Sequence, residues 1–247
     1  MCNIACSVDE MISVLLTAIF FSFFASAVLL NYKIGRLLNL SFASIFTLGA
    51  YLYFFNPTAA ALLALISGCA VGAVVSTATR KLSIAEASIV SLGFAIAIEE
   101  FLRILYRTSY FLVMESSYVE IIGEAVSVHE ITNGAVLALL FLIFTAIHLS
   151  RRELKFVEDD WELAEMYGVD TSRIRLLTIS ISSGFICLSG AILAPTQSVF
   201  PSMGWSSTVT AVIIASIAAS AGNAGVKKYL LTLPVAIAYT AILRWLF

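Results

Sequence analysis

Charged side chains are sparse in this chain, so those inside apolar runs are the first candidates for chemistry. Glu86, Glu99, Glu100 and Arg103 share one such run, and Arg244 stands near the end of the chain. Ionisable groups in that setting mark a solute or ion route unless they neutralise one another. Glu99 and Arg103 are four residues apart, a spacing at which helical side chains meet. Pairing near the end of a span, with long stems reaching toward the interface, is the expected arrangement. His129 and His148 are isolated, without metal-ligand spacing. Of the four cysteines, Cys69 and Cys187 lie in apolar runs and read as small buried hydrophobes. Cys2 and Cys6 could form a bridge if they face an oxidising space. The chain carries no Walker-type phosphate loop and no nucleophile–base pair. We therefore expect no catalytic, cofactor-binding or metal residues on this chain, and no enzymatic reaction.

The most informative polar segment runs from Glu158 to Arg175. Glu158, Asp159 and Asp160 place negative charge where a helix N-terminus favours it. Leu163, Met166 and Tyr167 follow at i, i+3 and i+4, which gives a short helix one apolar face. Gly168 can end that helix in a left-handed turn, and Asp170 or Thr171 can cap the next one. Two readings stay open: an element built to dock, or an acidic loop lying on a membrane surface.

The elements around this segment follow from composition. Of 247 residues, 60% are hydrophobic and 12% charged, with a mean hydropathy of +0.99. A soluble domain has about 25% charged residues, so lipid must cover much of the apolar surface. The net charge of −2 argues against a nucleic-acid partner, which would require a basic face. About 20 apolar residues cross a bilayer as a helix. Eight runs qualify or come near: Met11–Leu30, Leu37–Phe55, Thr58–Ala78, Ser83–Tyr106, Gly134–Leu149, Leu176–Ala194, Ser207–Ala221 and Tyr229–Phe247. The expected fold is all-α, a polytopic transmembrane bundle of about eight spans forming a single domain over residues 1–247. Ala25-Ser26-Ala27 resembles a signal cleavage site, but Asp9 and Glu10 precede the apolar stretch where a signal carries positive charge. The first span is expected to be retained.

Basic residues orient the spans. If Lys33 and Arg36 are cytoplasmic, alternation puts Arg80, Lys81, Arg151, Arg152, Lys155, Arg173, Arg175, Lys227 and Lys228 on the same side. The connection 108–132 is then external, with Glu115, Glu120, Glu124 and Glu130 and no Lys or Arg. The connection 151–175 is cytoplasmic, and the N-terminus is external. Small residues, among them Ser41, Ala43, Gly49, Ala50, Gly184, Ser189, Gly190 and Ala191, suit close helix packing in lipid. Gly68-x-x-x-Gly72 is a further pattern of that kind. Asn39, Ser41 and Ser44 serve either such packing or a solute pathway.

Two stretches carry a resemblance. Ala164-Glu165-Met166-Tyr167-Gly168-Val169-Asp170, with Arg173, Ser183-Gly184 and Ser189-Gly190-Ala191 after it, resembles the coupling-loop region of branched-chain amino acid ABC transporter permeases. Gly35-Arg36-Leu37-Leu38-Asn39-Leu40-Ser41-Phe42-Ala43 and Leu48-Gly49-Ala50-Tyr51 are similar to an earlier region of the same family. The turn after the penultimate span departs from it: Ala218 to Gly225 stands where the family has Gly-Gly-x-Gly. The resemblance implies a divergent, short member, the membrane-spanning subunit of an importer for branched-chain or similar apolar amino acids in the cell membrane. It also implies that Glu162, Leu163, Ala164, Glu165, Met166, Tyr167, Gly168, Asp170 and Arg173 dock on an ATPase. Asn39, Ser41 and Ser44 would lie on the translocation pathway. Its partners would be two ABC ATPase subunits holding ATP and Mg, a second permease subunit, homologous or identical, an extracytoplasmic solute-binding protein and membrane lipid. Rival readings are an ABC permease for sugars, nucleosides or amides, an ion-coupled secondary transporter, and a non-transporting scaffold.

Overall fold

The computed structural model describes residues 8–106, 118–121, 124–150, 152–221 and 227–246. Each of the eight apolar runs becomes a long helix: α1 (Val8–Lys33), α2 (Phe42–Phe55), α3 (Ala60–Ala78), α4 (Ile84–Tyr106), α5 (Val128–Ser150), α8 (Thr171–Leu193), α9 (Gly204–Ala221) and α10 (Lys227–Leu246). Two short helices, α6 (Arg152–Asp159) and α7 (Trp161–Met166), fill the connection between α5 and α8. A small antiparallel hairpin, β1 (Tyr118–Ile121) on β2 (Glu124–Ser127), joins α4 to α5, with Tyr118 opposite Ser127. It is the one sheet among the described residues of an otherwise all-α fold. Cys2 and Cys6, the side chains of His129 and His148, and residues 222–226 of the turn after α9 lie outside the described residues.

By length and composition, Val14–Lys33, Ala60–Ala78, Thr171–Thr196 and Gly204–Ala221 are long and apolar enough to cross a membrane. Others carry more charge or are shorter. α4 carries Glu86, Glu99, Glu100 and Arg103, and α10 carries Lys227, Lys228 and Arg244. α2 has 14 residues, about 21 Å of helix against a hydrocarbon core of about 30 Å.

What precedes α2 explains its length. The second span was expected as a helix from Leu37, yet the helix begins at Phe42 and the chain ahead of it is non-helical and largely buried. Backbone groups there need partners, since lipid supplies none. Serines on α4 provide them: Leu38 N donates to Ser88 Oγ at 3.1 Å, and Leu40 N donates to Ser91 Oγ at 3.0 Å. Leu37 packs against Ala87 and Ile179.

The core centres on α1, where Phe20, Phe23 and Phe24 pack edge-on or tilted against Phe46, Phe144, Phe185 and Phe42. Ala25-Ser26-Ala27 lies fully buried within this helix. Ser22 and Ser26 both reach Thr232 Oγ1, at 2.8 and 3.1 Å, tying α1 to α10. The closest pair is α3 on α8, and small residues make it possible. A Cβ at Gly68 would sit 2.5 Å from Cys187 Cβ and 2.6 Å from Ser183 O, and Gly72 also faces Ser183. Gly49 and Gly190 let α2 and α8 meet backbone to backbone in the same way. Leu62, Ile96, Leu142 and Ile213 point outward, the apolar face such a bundle offers to lipid.

The two ends of the bundle differ in charge. Around α6 and α7, Arg36 lies over Trp161, Arg80 reaches Ser172, and Arg175 spans to Gly35 and Thr79. The α1–α2, α3–α4 and α5–α8 connections therefore converge at one end. At the other end, Arg103 pairs with Glu99 at 2.9 Å and Glu100 at 3.1 Å, as its spacing predicts. Glu99 also accepts from Trp205 Nε1 at 2.8 Å, and Tyr51 stacks against Tyr106.

Candidate functional site

The basic end is built around α7. Asp160, in an extended conformation, caps this helix: its carboxylate accepts from Leu163 N at 3.0 Å. At the far end Val169 N donates to Ala164 O at 3.1 Å and Gly168 N to Glu165 O at 3.0 Å. Gly168 takes φ +81°, the left-handed conformation that a Cβ disfavours. Asp170 then caps α8, its carboxylate accepting from Arg173 N at 2.9 Å. The turn joins two capped helices with little slack between them.

α7 has two faces. Ala164 is fully buried, and Trp161 packs inward beneath the Arg36 guanidinium, 5.1 Å from the ring centre. Leu163, Met166 and Tyr167 point away from the bundle, at 40%, 84% and 73% exposure. Tyr167 is steadied edge-on by Phe156 of α6, ring centres 5.7 Å apart. Glu162, Glu165 and Arg173 are exposed around this patch. α7 thus carries an exposed apolar ridge bordered by charged side chains.

Behind it lies a clamp that sequence reasoning missed. Arg175, one turn into α8, is 6% exposed. Its Nε donates to Gly35 O at 2.8 Å, and its Nη2 donates to Thr79 O at 3.0 Å and Thr79 Oγ1 at 3.1 Å. Thr79 is the C-cap of α3, so the guanidinium also meets the negative end of that helix. Buried charge is costly unless its donors are met. Meeting them here fastens α8 to both the α1–α2 and the α3–α4 connections. Arg36 adds a second tie from the α1–α2 connection to α7, and it holds a left-handed φ of 50° to do so. In the sequence Arg175 counted as one more loop charge. The available signal was its position four residues before Ile179, on the same buried face as Thr171 and Thr178.

Residues 10–243 match the family described as branched-chain amino acid transport system / permease component. The chain belongs to this family. It is thus a transport permease component, with apolar helices of the kind that reside in a membrane. A curated relative, the tyrosine transport system permease protein of Clostridioides difficile (strain R20291), is 28% identical over 198 residues, or 74% of this chain. The matched segment spans 63% of that relative's length. No solved structure matches.

The other candidate residues of the permease sit apart from α7, in the broken span. Asn39 Nδ2 donates to Asn31 Oδ1 at 3.5 Å, and Ser41 Oγ donates to Asn39 Oδ1. Ser44 Oγ donates to Ala95 O of α4. All three are buried, with hydrogen bonds made inside this chain. Through Asn31, whose backbone carbonyl accepts from Leu37 N, this network holds the entry to α2.

Proposed function

We propose that this permease is the membrane-spanning subunit of an ATP-driven importer, and that α7 is the element through which a partner ATPase moves it. The observation that carries the reading is the α7 geometry. An outward apolar ridge stands on a short helix capped at Asp160 and closed at Gly168, backed by Arg36 and Arg175. A displacement of α7 would pass through the Gly168 turn into α8, and through Arg175 into the ends of α1 and α3. Such a connected set of ties between rigid elements is what conformational coupling needs. Asn39, Ser41 and Ser44 belong to the broken span that this clamp grips. They serve the pathway by holding that span closed, and meet solute when it shifts.

The proposed assembly contains two ATPase subunits, which hold ATP and Mg, a second permease subunit, and an extracytoplasmic solute-binding protein. It resides in the cytoplasmic membrane with the basic end inside and the N-terminus outside. The solute class is an apolar amino acid. The family description supports this, as does the C. difficile relative, whose name places tyrosine transport with it. The test is solute-stimulated ATP hydrolysis by the reconstituted complex. Charge reversal of Glu162 and Glu165 together with Met166→Asp should abolish the stimulation while the permease still inserts. Unchanged stimulation would leave α7 as a surface loop.

A further inference from the structure

At the end of the bundle opposite α7, one hydrogen bond joins two helices that hardly meet. Glu99 lies in the outer half of α4, and Trp205 stands in the first turn of α9, which shares little contact with α4. Their side chains nevertheless bond, Trp205 Nε1 donating to Glu99 Oε2 at 2.8 Å. α2 packs against both helices, so the bond completes a ring of α2, α4 and α9. The depth at which α9 begins makes this reach possible. Gly204 N donates to Thr47 Oγ1 at 3.2 Å, and a Cβ at Gly204 would fall on Ala43 O. α9 therefore starts about two turns short of the end of α2 at Phe55, which sets Trp205 level with Glu99.

The bond can break without stranding a charge. Glu99 Oε1 accepts from Arg103 Nη2 at 2.9 Å on its own helix, while Oε2 takes the indole N–H of Trp205. The Glu99 side chain is 13% exposed, and a carboxylate so placed is costly to leave unpaired. If α4 and α9 part, Arg103 stays with Glu99, because the two sit four residues apart on one helix. Trp205 then gives up one neutral donor, which an indole readily satisfies at a membrane–water boundary. The opposite end of the bundle is fastened differently: Arg175 makes three bonds to two connections, and all must go at once. The tie between α4 and α9 is thus the one suited to open and reclose.

We propose that Glu99 and Trp205 form the outer latch of the permease. Their bond holds the outer side shut. It opens when the first turn of α9 moves away from α4, and solute then enters beside α2, whose Ser44 and Ser41 lie farther in. The latch rests on the transport reading above and adds to it the residues of one conformational step.

The complete transporter in proteoliposomes, with its solute-binding protein, tests it. In a cysteine-free background, Glu99→Cys and Trp205→Cys together are bridged with a reducible bis-methanethiosulfonate reagent. Uptake of labelled L-leucine should stop on bridging and return when the bridge is reduced, whereas a monofunctional reagent of the same kind should leave it running. Trp205→Phe keeps the ring and removes the donor. It should raise ATP hydrolysis without solute about tenfold, the low end for a charge-assisted hydrogen bond. Glu99→Leu should do as much and the double variant no more, because all three lose one and the same bond. Glu99→Gln, which keeps an acceptor for Trp205, should stay near the parent, and it carries the comparison if Glu99→Leu fails to insert. Variants that lower the thermal midpoint but leave solute-free hydrolysis unchanged would show a merely structural bond and overturn the latch. Uptake at the parent rate in the bridged transporter would overturn it as well. Bridging reads uptake however it is energised, so uptake that ignores ATP yet stops on bridging would sink the importer reading and leave the latch standing.

Discussion

Gly168 offers a clean perturbation because its environment separates backbone effects from packing effects. A Cβ built there meets nothing within 4 Å, while φ is +81°. Any penalty of substitution is therefore conformational. For a residue with a Cβ the left-handed conformation costs roughly 1–2 kcal/mol, and β-branching adds to that. Asn tolerates the conformation better than other non-glycine residues. If the turn relaxes, the Val169–Ala164 and Gly168–Glu165 bonds go with it, each worth about 0.5–1.5 kcal/mol net. A shift of 1–2 kcal/mol changes a two-state ratio by a factor of about 5–30. Gly168→Val should accordingly reduce solute-stimulated ATP hydrolysis and uptake together, by several-fold, while Gly168→Asn stays near wild type. Both variants should insert and elute from size exclusion like the parent. Equal activity in the two, at any level, would refute the argument, because φ would then not be the controlling variable.

Other outcomes follow from the same geometry. Arg175→Leu strands Gly35 O in the interior and takes one of two donors from Thr79 O; it should cost about 1–3 kcal/mol, seen as a lower midpoint of thermal unfolding in detergent together with lost coupling. Gly68→Val drives two methyl groups into Cys187 and Ser183. Overpacking of about 1–3 kcal/mol is expected, read by the same unfolding scan, whereas Gly93→Val, with open space around it, should leave the midpoint unchanged. In a cysteine-free background, Ser198→Cys should react with an impermeant thiol reagent added outside cells and Glu162→Cys should not; the reverse pattern inverts the orientation.

Much of the fold was legible because its determinants are local. Apolar runs of span length marked every long helix, and the acidic start at Glu158–Asp160, a cap at Asp170 or Thr171 and the turn at Gly168 could be read from residue type and position. Glu99 and Arg103 declared their pairing by spacing. What escaped depends on partners far along the chain. Leu37, Leu38 and Leu40 read as the start of a helix; Ser88 and Ser91, about fifty positions later, bond their neighbourhood in a non-helical path. Arg175 looks like a topogenic charge until Gly35 and Thr79 are seen around it. The β1–β2 hairpin pairs strands of four residues each, too short for alternation to stand out.

The central claim is that ATP hydrolysis on a partner drives solute through this permease. Right-side-out membrane vesicles carrying the complete transporter and its solute-binding protein, loaded with ATP and treated with an uncoupler, test it most directly. Uptake of labelled L-leucine or L-tyrosine should persist with ATP inside and vanish when ATP is replaced by a non-hydrolysable analogue. Uptake that collapses with the proton gradient and ignores ATP would contradict the account.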